Sequence, residues 1–107
     1  MRLDVIVQDQ VFGVEVPDEL VTEAEEFFRR MDADMDRGWQ VGREWVERPD
    51  TTVRCQIAAD RLLTALHTGN EAMKVMMAAY ILARMPGVRA VEVDTEGNPL
   101  ETALITA

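Results

Sequence analysis

The chain contains one cysteine and one histidine. A single thiol, Cys55, forms no intramolecular disulfide, and one cysteine with one histidine, His67, is too few ligands for the usual zinc sites. The sequence also lacks a glycine-rich phosphate loop and a dinucleotide-binding fingerprint. We interpret Cys55 as a small buried hydrophobe and His67 as a residue of a last helical turn. We therefore expect no catalytic residue, no cofactor and no enzymatic activity.

Basic residues are few, 11 against 20 acidic ones, and the formal charge is −9. Such a chain repels phosphate backbones and anionic lipid surfaces, so nucleic acid is not an expected partner. The most apolar stretch, Ala72 to Met85, is interrupted by Lys74 and Arg84 and is shorter than a membrane span of about 20 residues. The N-terminus carries no leader pattern. These features predict a cytoplasmic protein without membrane association.

Hydrophobic residues make up 48% of the chain, enough to bury a core. We expect one domain over residues 1–107, because no change of composition marks a boundary and no repeat is present. From Leu3 to Val16 apolar and polar residues alternate on both sides of Gln8-Asp9-Gln10. Alternation with a polar break predicts an N-terminal β-hairpin.

The segment Pro17-Asp18-Glu19 has the proline and carboxylates typical of a helix start. Apolar residues at spacings of three and four follow, which predicts a long first helix reaching about Glu47. Gly38 and Gly42 lie within this stripe, and each weakens a helix by about 1 kcal/mol relative to alanine. The sequence leaves open whether residues 19–47 form one helix or two that meet near Gly38.

Two further helices are predicted, one from about Thr52 to His67 that Gly69 ends, and one from Glu71 to Arg84 that Asn70 caps. Asp50 or Thr51 is expected to cap the first of them, and Met85-Pro86-Gly87 ends the second. The tail predicts a strand over residues 88–93, a turn, and a less regular strand over residues 100–105. The expected fold is α+β, with an N-terminal β-hairpin, a three-helix core with a long first helix, and a C-terminal strand or hairpin.

Alternating carboxylates at Asp32, Asp34 and Asp36 resemble the start of a calcium loop, in which oxygen ligands occupy alternate positions. The loop pattern is incomplete, because the glycine comes one residue late and Arg43 stands where the closing glutamate is required. The competing interpretation is a set of helical ion pairs four residues apart. These pairs are Glu25–Arg29, Glu26–Arg30, Arg30–Asp34 and Arg43–Glu47.

The helix over residues 71–84 has apolar side chains around nearly its whole circumference. Such a helix is either central in the core or shared with another chain. Methionine and tryptophan are also common at the centres of interfaces. The candidate interface residues are therefore Trp39, Trp45, Met73, Met76, Met77 and Tyr80.

Three runs lie within the middle half of the chain: Met31–Gln40, Arg43–Glu47 and Arg54–Leu63. In these runs the chain resembles a small uncharacterised bacterial protein family. The resemblance implies a bacterial protein outside the well-known enzyme families, and it supplies no activity and no functional residue.

The leading hypothesis is a non-catalytic cytoplasmic protein-interaction or adaptor domain, which pairs with itself as a homodimer or binds another protein. It depends on the surplus of apolar helix surface. The alternative is a divalent-cation-binding module that uses Asp32, Asp34 and Asp36.

Overall fold

A computed structural model describes residues 1–106 and confirms the α+β class. The chain begins with strands β1 (Arg2–Val7) and β2 (Gln10–Glu15). The next elements are helices α1 (Leu20–Glu23) and α2 (Glu25–Met35), strands β3 (Trp39–Val41) and β4 (Glu44–Val46), and helices α3 (Thr51–Thr68) and α4 (Glu71–Arg84). The last elements are strand β5 (Val88–Glu92), a 3₁₀ turn (Pro99–Glu101) and strand β6 (Ala103–Thr106).

The main sheet has the strand order β2-β1-β5-β6. Strands β1 and β2 form the predicted N-terminal hairpin, and they pair antiparallel without a register shift from Arg2–Glu15 to Val7–Gln10. Strand β5 pairs parallel to β1, and β6 pairs antiparallel to β5. The C-terminal segment is therefore a hairpin, with β6 starting at Ala103 because residues 99–101 form the 3₁₀ turn.

The helices cover one face of this sheet. Leu3, Val5, Val14 and Val91 project from it and are at most 2% exposed. They pack with buried residues of α2, α3 and α4 in a single core. The opposite face carries Arg2, Asp4 and Glu15 as well as apolar side chains, and among the described residues no helix covers it. The domain therefore has two layers, one of helices and one of sheet.

The prediction of a long first helix to Glu47 is wrong. Helix α1 ends at Glu23, α2 ends at Met35, and β3 and β4 form a second two-stranded sheet where the helix was expected. Gly38 and Gly42 have φ angles of +97° and +61°, which a right-handed helix does not accommodate. The apolar spacing of three and four therefore continues across a change from helix to hairpin, and the glycines mark that change.

Gly38 also makes room for the indole of Trp45. A Cβ atom at Gly38 would lie 2.5 Å from the Trp45 ring. At the tip of the hairpin, Gly42 occupies the first turn position, and the loop from Gly97 to Pro99 packs against it. The hairpin is thus held by contacts with distant residues as well as by its own turn.

Helices α3 and α4 confirm the predicted second and third helices. Asp50 caps α3 by accepting a hydrogen bond from the Val53 amide at 2.9 Å, and Asn70 caps α4 through the Met73 amide at 3.1 Å. Gly69 ends α3 in the left-handed conformation. None of the helices that the structure describes combines the length and apolar character needed to cross a membrane.

Alanine substitutions at three glycines separate the causes of strain. We expect Gly38→Ala to lower the free energy of unfolding most, by roughly 1–3 kcal/mol from backbone strain, with the Trp45 clash adding to this. Gly69→Ala adds strain alone, since its φ is +71° and no atom lies within 4 Å of the added Cβ. Gly87→Ala is the control, because Gly87 has no positive φ and no atom lies within 4 Å of the added Cβ. Urea denaturation midpoints in any other order would contradict this account.

Candidate functional site

The densest group of charged side chains surrounds Asp32, on the inner side of α2. One oxygen of Asp32, Oδ1, accepts a hydrogen bond from the Tyr80 hydroxyl at 2.5 Å. The other, Oδ2, accepts from Nε and Nη2 of Arg84 at 3.0 and 2.8 Å. Both partners belong to α4, so Asp32 joins α2 to the most buried helix of the domain.

Arg84 is shared between two carboxylates. Besides Asp32, it binds Glu25 through both terminal nitrogens, at 2.8 and 3.0 Å. Its guanidinium carbon also lies 5.8 Å from the ring centre of Phe28 and 5.5 Å from that of Tyr80. Because an arginine bound to a carboxylate by two nitrogens has a defined orientation, Arg84 fixes how α4 lies against α2.

Arg54 connects the same group to α3. Its Nε donates to the carbonyl oxygen of Pro49 at 2.7 Å, and its Nη1 donates to the main-chain oxygen of Asp32 at 3.2 Å. Its Nη2 is paired with Asp36. A salt bridge of 3.3 Å also joins Nη1 to the Asp32 carboxylate. We name Glu25, Asp32, Asp36, Arg54, Tyr80 and Arg84 the ionic cluster.

A shallow depression of about 290 Å³ lies over the ionic cluster. Its lining residues are Asp32, Pro49, Asp50, Thr51, Arg54, Tyr80 and Arg84. Every nitrogen of the Arg54 and Arg84 guanidinium groups already has an acceptor within the protein. A ligand would therefore have to compete with the protein's own acceptors, so the cluster is better suited to joining helices than to binding substrate.

The protonation states in the ionic cluster agree with this structural role. Partial burial alone would raise the pKa of Asp32, but hydrogen bonds from Tyr80 and Arg84 hold that pKa below its ordinary value. Burial, followed by the hydrogen bond to Asp32, raises the pKa of Tyr80. At neutral pH the carboxylate stays ionised and the phenol stays protonated. Neither group is placed for general acid–base catalysis, which favours a pKa near the working pH.

The three aspartates of the predicted metal site have different surroundings. Asp32 and Asp36 are bound by arginines, whereas Asp34 is exposed on another side of α2. Among the described residues, no group of three or more histidine, cysteine, aspartate or glutamate side chains is arranged to hold a metal ion. Of the ion pairs predicted along the first helix, Glu25–Arg29 forms, at 3.3 Å.

The predicted interface residues are divided between core and surface. Met77 and Tyr80 are fully buried inside the domain, so they offer no surface to a partner. Met73, Met76 and Trp39 are partly buried against the core. Trp45 is 58% exposed. Helix α4 is therefore central in this fold, one of the two arrangements that its sequence allowed.

Sequence reasoning did not identify the partners of Asp32 or the exposed residues of the sheet. A signal existed for Asp32, since it lies one helical turn after Phe28 on the apolar stripe, where a charge needs a partner. Val11, Phe12 and Ile105 are 59%, 38% and 39% exposed. Phe12 is in phase with the buried Val14 and Val16, so the local pattern does not distinguish it from a core residue.

Cys55, the one free thiol, is fully buried in α3. Burial raises the pKa of its thiol to about 12. A thiol with so high a pKa is neither a good nucleophile nor a good metal ligand at neutral pH.

Replacing two aspartates by asparagine tests the electrostatic description. We expect Asp32→Asn to lower the free energy of unfolding by roughly 1–3 kcal/mol, because Arg54 and Arg84 lose a charged partner. Asp60→Asn should raise it, because burial and then nearby Asp94 raise the pKa of Asp60 and disfavour its ionised form. Each substitution removes one negative charge, so a difference in net charge cannot explain changes of opposite sign in the free energy of unfolding measured with urea. Changes of the same sign for both variants would contradict the electrostatic description.

The effects of Asp32 and Asp60 on stability are also expected to depend on pH, because the pKa of the first carboxyl is lowered and that of the second is raised. Because the folded-state pKa of Asp32 is lowered, its stabilising contribution is present above its ordinary pKa of about 3.9 and is lost as the pH falls through the lowered value. The pKa of Asp60 is raised, so its unfavourable contribution disappears as the pH falls through that higher value. Denaturation between pH 7 and 3 should show the Asp32→Asn deficit shrinking at the acid end. If the loss of stability in Asp32→Asn stayed constant over this pH range, the charge of Asp32 would not contribute to the stability of the fold.

The comparisons with known proteins give no match. No family model, no curated protein and no solved structure matches this chain. The resemblance to a small bacterial family stays a prediction, because none of these comparisons bears on it.

Proposed function

We propose that this protein is a non-catalytic protein-interaction domain that acts as a homodimer. The observation that carries the proposal is a pair of exposed apolar side chains, Val11 and Phe12, on a strand at the edge of the sheet. An unpaired strand edge with apolar side chains is a common site of association between chains. The contact surface that we propose is therefore the sheet, and not helix α4 or the segment that carries Trp39 and Trp45, which the sequence suggested.

The outer face of the sheet supports this choice. Val11 lies beside Ile6 on that face, and Ala90 lies beside Ile105. Two of these side chains, Val11 and Ile105, are among the most exposed large apolar residues of the domain. Exposed apolar groups on a sheet face without covering helices are typical of surfaces that meet another protein.

The internal pairing of the ionic cluster supports a role without catalysis. Asp32, Arg54 and Arg84 bind one another and their neighbours, and among the described residues no buried side-chain nitrogen or oxygen lacks a hydrogen-bond partner. The ionic cluster thus stabilises the fold. The groups available for contacts with other molecules are the exposed apolar side chains of the sheet.

The cytoplasm of a bacterium is the compartment that we propose. A reduced environment suits a chain whose one thiol, Cys55, is buried and free. The charge of −9 favours a protein partner over nucleic acid, and that partner is a second copy or an adaptor target.

The mass of the purified protein in solution tests the proposal. We expect light scattering to show a dimer that dissociates on dilution, with the same mass in chelator and in millimolar calcium or magnesium. The monomer mass, 12.1 kDa, at all concentrations would contradict the proposal. A mass that depends on the cation would instead favour the alternative, a cation-binding module of Asp32, Asp34 and Asp36.

A further inference from the structure

Strand β2 has few of the features that protect a sheet edge. It contains no lysine, arginine or proline, and its one charged residue is Glu15 at the end. Its six residues pair with β1 without a bulge. The opposite edge differs, because β6 has four residues and its register with β5 is irregular between Val88 and Ala90. Of the two edges, β2 is the better template for another strand.

The hydrogen bonds of the hairpin show which groups of β2 face outward. Met1 and Val16 exchange both of their main-chain hydrogen bonds, each of 2.7 Å. In an antiparallel pair such residues alternate with residues whose amide and carbonyl groups point away from the partner. Val11, Gly13 and Glu15 therefore direct their amide and carbonyl groups out of the sheet edge.

This alternation restricts how a second copy of β2 can pair. An antiparallel second strand must place its own outward-directed residues, Val11 and Gly13, opposite these groups. Directly opposed residues share a face of the sheet, so the covered faces of both copies then lie on the same side. The two sheets join into one continuous sheet, with all helices on one side and the bare face on the other.

The position of Arg2 distinguishes the possible registers. Its guanidinium lies over Gly13 on the bare face, where a Cβ atom would come within 2.6 Å of it, and it is held by Asp4 at 2.7 Å. A register with Gly13 opposite Gly13 would bring two arginines together. A shift by one residue in each strand places Gly13 opposite Val11 and moves the two arginines apart along the strands. Repulsion between the arginines therefore disfavours the first register relative to the second.

In that register Phe12 meets Phe12 across the two-fold axis. The residue is 38% exposed in the monomer and points toward the covered face. Aromatic pairs directly opposite each other stabilise antiparallel strands. The strand is thus complementary to itself in hydrogen bonding and in its apolar centre.

We propose that a second copy of this chain binds the free edge of β2 by antiparallel pairing, with Phe12 facing Phe12 and Val11 facing Gly13. The proposal rests on the proposed function, since it names the surface through which the homodimer forms. The pairing is isologous, so it ends at two copies and leaves the β6 edge free.

Cysteine cross-linking tests the register in the full-length protein. Directly opposed residues of this kind have Cα atoms about 4.5 Å apart, within the range of a disulfide. We expect mild oxidation of Phe12→Cys to give a covalent dimer. Val11→Cys should not cross-link, because the two copies of that residue are offset along the strands. Ile105→Cys reports on the other edge, and the wild-type protein, whose Cys55 is buried, gives the background.

A second pair of variants keeps the test independent of cysteine chemistry. Val11→Lys places a positive charge beside Arg2 of the other copy, and we expect it to raise the dimer dissociation constant by about tenfold or more. Ile105→Lys is the matched control, since it lies on the same bare face at the opposite edge and should leave the constant unchanged. Circular dichroism checks that both variants fold.

The outcomes separate this inference from the proposed function. Cross-linking of Phe12→Cys alone, with weakening by Val11→Lys alone, supports the inference. A dimer that cross-links at Val11→Cys or Ile105→Cys, or that only Ile105→Lys weakens, overturns it and leaves the proposed function standing. A wild-type protein that is monomeric at every concentration overturns both.

Discussion

Asp32 is a carboxylate on the apolar side of α2, one turn after the fully buried Phe28. A charge in that place is costly unless it is paired, and Asp32 is paired with Arg84, Arg54 and the hydroxyl of Tyr80. Its partners come from α3 and α4, so one side chain sets the relative positions of three helices. The layer of helices that covers the sheet depends on this arrangement.

Fixing the helices around Asp32 also determines which apolar surface is left over. Helix α4 lies inside the domain with Met77 and Tyr80 fully buried, so its apolar circumference is used by the core. The sheet is covered on one side only, and its edge strand β2 keeps Val11 and Phe12 in contact with solvent. The surplus apolar surface that suggested an interaction domain therefore exists, but on the sheet.

The ionic cluster and the sheet edge perform different tasks in the domain. Every guanidinium nitrogen of the cluster has an acceptor within the protein, which suits cohesion between helices. The β2 edge has outward-directed amide and carbonyl groups that no other strand of the described residues meets. Main-chain groups that no partner strand meets favour association when they lie beside apolar side chains, whereas paired charges favour stability.

The sequence by itself determined the elements whose signals are local. The alternation from Leu3 to Val16 predicted the hairpin, and the caps Asp50 and Asn70 and the terminating Gly69 marked α3 and α4, because these signals act within a few residues. Tertiary structure alone decided the rest. The helix ends at Met35 since Gly38 adopts a positive φ beneath Trp45, a contact that helical periodicity does not encode.

The partners of Asp32 were likewise beyond the reach of local patterns. Tyr80 and Arg84 follow it by 48 and 52 residues, and the sequence shows an acid on an apolar stripe without showing which cation will meet it. The exposure of β2 depends on its place at the end of the strand order, which arises only when β5 pairs with the other side of β1. Local chemistry specified the elements, and long-range pairing specified which of their surfaces became core, cluster or edge.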